Sequence, residues 1–125
     1  MRKFLIKSFV SSFGILLAFN LFAKDLSEAS KIEINHLLDT LETSNCQFNR
    51  NGDWHSSKEA KAHLTKKLNY AIDKGQVGSS EDFIELAASK SSVSGKVYLV
   101  KCGDSTPMAS GVWLKEQLQR LRAKK

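Results

Sequence analysis

Cysteine is scarce in this chain, which has only Cys46 and Cys102 among its 125 residues. The two lie far apart, so no C-x-x-C pair is present. A structural zinc site usually draws its ligands from closely spaced pairs, and neither cysteine has a second ligand near it in the sequence. The pattern therefore argues against a cysteine-based metal centre and excludes a C-x-x-C motif.

Familiar catalytic motifs are also missing. The chain has no G-x-S-x-G, no H-E-x-x-H and no S-x-x-K. The segment SSVSGK, residues 91–96, lacks the first glycine of a P-loop and lies between a predicted helix and a predicted strand, the reverse of the P-loop order. It is more typical of a loop that ends the helix and starts the strand. A small hydrolase that pairs His63 with a serine, such as Ser94, remains an alternative without motif support.

The one long apolar run lies near the start, from Phe9 to Phe22, and three basic residues stand among the first seven. Ala23 is a small residue suited to the position before a cleavage, so residues 1–23 are typical of a secretory signal peptide. The alternative is a retained anchor, although a membrane span needs about 20 apolar residues. We expect cleavage before Lys24 and a periplasmic protein.

Removal of residues 1–23 leaves 102 residues, 24–125, which we interpret as a single globular domain. The formal charge falls from +6 to +3, because three of the 19 basic residues leave and all 13 acidic residues stay. No basic stripe with interleaved aromatic residues is present, so we expect no nucleic-acid partner. We also expect no cofactor and no membrane association after cleavage.

An even number of cysteines in an exported chain predicts a disulfide between Cys46 and Cys102. Two free buried thiols are the alternative. Antiparallel pairing of the strands around the cysteines would place Cys46 opposite Cys102, Phe48 opposite Val100, and Arg50 opposite Tyr98. Side chains alternate along a strand, so all six would share one face of the sheet.

The remaining pattern predicts an α+β domain, rich in helix, with four helices and a small two-stranded antiparallel sheet. Ser56 with Glu59 forms the capping box S-x-x-E at the start of the second helix, and Ser79 with Asp82 starts the third. Asp25 with Glu28 is an acidic variant at the start of the first. The predicted helices span about residues 26–43, 57–74 and 80–90, with a last helix from near Thr106-Pro107 to about Arg122, and the predicted strands span 46–50 and 97–100.

His55, Glu59 and His63 are spaced by four residues, which on a continuous helix would place them on one face. Such a face could hold a metal. However, Ser56 is the predicted cap, so His55 lies before the helix, and His63 borders the apolar stripe of the second helix. We therefore expect no metal site, and we expect His63 to be a hydrogen-bonded packing residue or a ligand-binding residue.

A longer pattern runs through most of residues 24–125. It reads R-N-G, then H, then E-A-x-x-H-L-x-x-K-L, then F-I-x-x-A-x-x-x-S-x-x-S-G-x-x-Y. This pattern resembles the YfeK-like family of small exported proteobacterial proteins, a domain of unknown function. The resemblance implies export and a shared fold, and it assigns no reaction, substrate or cofactor. It marks as motif positions Arg50, Asn51, Gly52, His55, Glu59, Ala60, His63, Leu64, Ser94, Gly95 and Tyr98.

These motif positions converge under the predicted strand pairing. A cationic, hydroxyl-rich pocket there would suit a carboxylate or phosphate group, because arginine binds such groups with two parallel hydrogen bonds. We therefore expect a non-catalytic binding or accessory protein whose partner is a small anionic ligand or another envelope protein. The candidate ligand-binding residues are Arg50, His55, His63, Ser94, Gly95 and Tyr98.

Overall fold

The computed structural model describes residues 23–125, so most of the predicted signal peptide lies outside the described residues. The chain forms an α+β domain with four helices, as predicted. None of the helices within residues 23–125 is long and apolar enough to cross a membrane. The elements are α1 (Glu28–Thr43), β1 (Gln47–Arg50), β2 (Asp53–His55), α2 (Ser57–Asp73), α3 (Ser80–Ala87), β3 (Leu99–Lys101), β4 (Met108–Ala109) and α4 (Ser110–Ala123).

The sheet has four antiparallel strands in the order β2-β1-β3-β4, so the prediction of two strands was wrong. Asn51 and Gly52 join β1 to β2 in a two-residue hairpin, with φ of 56° and 91°. Positive φ at both positions is what a type I′ turn requires, and Asn-Gly adopts it readily. The two edge strands are only three and two residues long, which is too short to show alternation in the sequence.

The predicted register of β1 against β3 is confirmed in its centre, where Phe48 faces Val100. The disulfide between Cys46 and Cys102 lies one step beyond this ladder. The expected pairing of Arg50 with Tyr98 does not occur, because β3 begins only at Leu99. The Tyr98 N–H donates to the Ser89 carbonyl and its own carbonyl accepts from Ser110, each at 2.9 Å. Tyr98 is thereby fixed between the segment after α3 and the first residue of α4.

Two helix starts are as predicted. Ser56 and Glu59 form the complete capping box of α2, and the Ser79 hydroxyl accepts from the Asp82 N–H at α3. The start of α1 differs, because Ser27 rather than Asp25 is its cap.

The last helix begins at Ser110, later than expected, because the two residues before it form β4 and pair with β3. The third helix ends at Ala87 instead of residue 90. There the Ser89 hydroxyl donates to the Ile84 carbonyl at 2.7 Å, which turns the chain away from the helix. These differences move helix ends, and the predicted elements keep their order with β2 and β4 added between them.

The core lies between the helices and one face of the sheet. Helix α1 packs against α2, α3 and α4, while α2 and α4 also contact the sheet. Phe48 and Val100 supply the buried face of the sheet and Tyr98 lies beside them, each about 1% exposed. Because α2 lies beside β1, its residues near His63 come close to Tyr98 and Arg50.

Candidate functional site

Tyr98 is the centre of a polar cluster beneath the surface. Its ring packs on Phe48 with centroids 5.1 Å apart and meets the edge of His63 at 6.0 Å. Its phenol oxygen lies 3.2 Å from His63 Nε2 and accepts from Lys67 Nζ at 3.0 Å. Lys67 also donates to the Lys90 carbonyl at 2.9 Å. The cluster therefore ties α2 to the segment after α3.

The direction of these hydrogen bonds follows from what each group can donate. An ammonium has donors only, so the Tyr98 oxygen must accept from Lys67. The phenol proton is then free for His63 Nε2, which accepts it when the imidazole is neutral. A neutral His63 in this arrangement has its own proton on Nδ1, leaving an N–H donor that the cluster does not use.

Burial and neighbouring cations keep His63 neutral. Burial is the largest cause, and together with the positive charges of Arg50 and Lys67 it lowers the pKa of His63 from 6.5 to about 4. Burial likewise lowers the pKa of Lys67, with Arg50 adding to the effect. Burial raises the pKa of Tyr98, which the charge of Arg50 opposes. The site thus concentrates positive charge around uncharged polar groups.

A surface cleft opens over this cluster in two overlapping lobes of about 700 Å³ and 400 Å³. Arg50, His63, Lys67 and Ser92 line both lobes and so form its waist. No aspartate or glutamate lines either lobe. The larger lobe adds Lys66, Tyr70, Ala71, Gln76 and Leu86, and the smaller adds Asn51, Ser91, Val93 and Tyr98.

The loop after α3 closes one side of the cleft. The Ser91 hydroxyl accepts from the backbone N–H groups of Val93 and Ser94, at 3.2 and 3.1 Å. The Ser94 hydroxyl donates to Asn51 Oδ1 at 2.6 Å, which fastens the loop to the β1–β2 hairpin. Gly95 has φ of 75°, a conformation that glycine adopts without strain. Ser94 and Gly95 therefore shape the loop and do not line the cleft.

Three of the six candidate residues meet at the cleft: Arg50, His63 and Tyr98. His55 does not line it. It lies on β2 opposite Phe48, with Nδ1 3.9 Å from Glu59 Oε1. Residues 23–125 contain no group of three or more histidine, cysteine, aspartate or glutamate side chains placed to hold a metal ion.

Sequence reasoning missed Lys66, Lys67 and Ser92. The position of Lys67 beside His63 was predictable, because Lys67 follows His63 by four residues and therefore shares its face of α2. The hydrolase alternative gains no support, because His63 shares its hydrogen bond with Tyr98 and Ser94 donates to Asn51. No serine hydroxyl within residues 23–125 is hydrogen-bonded to an imidazole.

Comparison with known proteins identifies the family. The sequence profile of a family of unknown function, DUF5329, matches residues 28–122, and the chain belongs to this family. An uncharacterised protein of Salmonella typhimurium strain LT2, YfeK, is 41% identical over 66 residues. That match covers 52% of this chain and 53% of the relative, so the two align over about half of their lengths. No solved structure matches the chain.

Proposed function

We propose that this chain is an exported, non-catalytic binding protein that holds a carboxylate or phosphate group at the waist of the cleft. The observation behind the proposal is the charge of the lining. Arg50, Lys66 and Lys67 line one lobe, and none of them forms an ion pair with a carboxylate within residues 23–125. Like charges gathered without a counterion repel one another, and an anion would remove that repulsion.

The waist offers several kinds of donor to such an anion. Arg50 has a planar guanidinium that matches a carboxylate or phosphate, and it makes no side-chain hydrogen bond within the described residues. His63 has the unused Nδ1–H, and the exposed Ser92 adds a hydroxyl. Because Lys67 is already hydrogen-bonded to Tyr98 and Lys90, its ammonium is held in place before a ligand arrives. Such preorganisation lowers the entropic cost of binding.

Two features support export. The disulfide between Cys46 and Cys102 is typical of an oxidising compartment. The other is at the predicted cleavage point, where the Lys24 backbone N–H donates to the Gly75 carbonyl at 2.8 Å, just beyond the end of α2. Cleavage before Lys24 would turn this N–H into a charged ammonium, which the negative end of a helix dipole favours.

The test is an NMR titration of the oxidised chain beginning at Lys24, since every described helix and strand lies after that residue. The probes are inorganic phosphate and acetate, followed through the Arg50 side-chain N–H and the amides of residues 91–96. We expect saturable shifts, and we expect Arg50→Gln to weaken binding about tenfold, as the loss of one charge-assisted hydrogen bond predicts.

Lys58→Gln is the matched control. Lys58 is exposed on α2, lies outside the cleft, and carries the same charge. Its replacement should change affinity less than about twofold, because exposed charges contribute little to a distant site. Absence of saturable binding by the parent chain would overturn the proposal. So would an equal loss of affinity in the Arg50 and Lys58 variants, because it would show a general charge effect.

A further inference from the structure

The cleft carries exposed apolar side chains on both sides of its cationic waist. Tyr70, Ala71 and Leu86 line only the larger lobe, while Val93 lines only the smaller. Tyr70 is 64% and Leu86 45% exposed, so both present apolar surface to the space beside the cations. Single exposed apolar residues are normal, but here three of them line the same cleft as Arg50 and Lys67, and two of the three, Tyr70 and Leu86, lie together in the larger lobe.

We infer that the natural ligand is amphipathic: an anionic group at the waist, with an apolar arm lying against Tyr70 and Leu86. This inference rests on the proposed function and specifies its ligand class. An arm in the larger lobe would cover apolar surface that otherwise faces water, which is favourable in proportion to the area buried. A bare inorganic anion would leave that surface exposed.

The volume of the larger lobe agrees with this reading. About 700 Å³ is far more than a carboxylate or phosphate alone fills, and it falls within the usual range of small-molecule sites. Lys66 lines this lobe as well, so an arm that extends from the waist passes a second cation. A chain of a few carbon atoms would fit the lobe without entering the core.

The experiment compares acetate with hexanoate, which share a carboxylate and differ only in the length of the apolar chain. Affinities are measured by the same NMR titration for the parent chain, Leu86→Ser and Arg50→Gln. We expect hexanoate to bind about tenfold more tightly than acetate, as burial of a few methylene groups predicts. Leu86→Ser should weaken hexanoate and leave acetate unchanged, whereas Arg50→Gln should weaken both.

The outcomes separate this inference from the proposed function. If acetate binds and hexanoate binds no more tightly, the inference is wrong and the anion site stands. If Leu86→Ser weakens both ligands equally, the inference is also wrong, because Leu86 would then support the fold. If neither ligand nor phosphate binds, both proposals fall. Val112→Ser, at an exposed valine on α4 outside the cleft, is the control for loss of surface apolarity.

A bilayer presents the same chemistry as a free amphipathic anion, so a second arm uses phosphatidylglycerol vesicles in a sedimentation assay. If the chain sediments with the vesicles and hexyl phosphate releases it from them, the result would support an amphipathic ligand presented by a membrane. Binding of hexyl phosphate without sedimentation would support a free ligand, in agreement with the expectation that the exported chain stays off the membrane. If the chain sediments with the vesicles and hexyl phosphate does not release it, the result would count against the cleft as the binding site.

Discussion

Replacement of Glu33 by glutamine should destabilise the fold at neutral pH and lose this effect in acid. Glu33 is a buried carboxylate on α1, only 8% exposed. Arg122 of α4 donates two hydrogen bonds to it, each 2.9 Å long, and the Ser80 hydroxyl donates a third at 2.7 Å. Arg122 also reaches Glu81 at 2.7 Å. One carboxylate thus connects three helices.

The size of the effect follows from the pKa of Glu33. Hydrogen bonds from Arg122 and Ser80 lower this pKa from 4.5 to about 2, which burial opposes. A difference of that size corresponds to about 3 kcal/mol of stabilisation. The Arg122 side chain is 43% exposed, so solvent screening reduces the figure. We expect Glu33→Gln to lower the free energy of unfolding by about 1–2 kcal/mol near neutral pH.

The sign of the pH dependence is set by the lower pKa in the folded state. The stabilisation is fully present above pH 4.5 and is lost as the pH falls through about 2. Urea unfolding, followed by circular dichroism, should therefore show parent and variant converging near pH 2. Glu116→Gln is the control, because Glu116 is exposed on α4 and forms no ion pair with the described residues. The reasoning would be refuted if the variant were as stable as the parent at neutral pH. It would also be refuted if the difference in unfolding free energy between them were as large in acid as at neutral pH.

Two further predictions concern the disulfide and the polar cluster. Replacing Cys46 and Cys102 with alanine should lower the unfolding free energy by about 4 kcal/mol, because the bond joins residues 56 apart; an unchanged urea midpoint would contradict this. His63 should titrate with a pKa of about 4 in NMR spectra, and Arg50→Gln should raise that value; a midpoint near 6.5 in the parent would show an unburied imidazole. Because burial lowers the pKa of His63, it makes the fold less stable as the pH falls from 6.5 toward 4.

Features that depend on neighbouring residues were predictable from the sequence. The capping box of α2 needs only Ser56 and Glu59, three positions apart, and the hairpin turn needs only Asn51 and Gly52. The register of β1 against β3 was also accessible. There the cysteine pairing and the apolar alternation independently select the same alignment, with Phe48 opposite Val100.

Features that depend on distant residues were not predictable. Glu33 and Arg122 are 89 positions apart, and nothing near either residue indicates the other. The displacement of Tyr98 from the ladder has a similar origin, because its backbone partners are Ser89 and Ser110. These contacts arise only when segments distant in the sequence pack together, so local propensity gives no signal for them.

The cationic cleft does not reflect a shortage of acidic residues in this part of the fold. Lys61, on the same helix as His63, is paired with Asp39 at 2.8 Å and with Glu42 at 3.1 Å. Glu59 lies in the first turn of that helix, yet its carboxylate accepts from the Ser56 N–H and so serves the cap.

Arg50 and Lys67 are half-buried, and the pKa of Lys67 is lowered because burial and the charge of Arg50 disfavour its protonated form. The folded chain therefore holds an electrostatic cost that its own carboxylates leave unrelieved. An anion that binds only the folded state relieves this cost, and above the dissociation constant it stabilises the fold by an amount that grows with the logarithm of its concentration. The positive charges that destabilise the folded chain would thus supply part of the free energy with which it binds an anion.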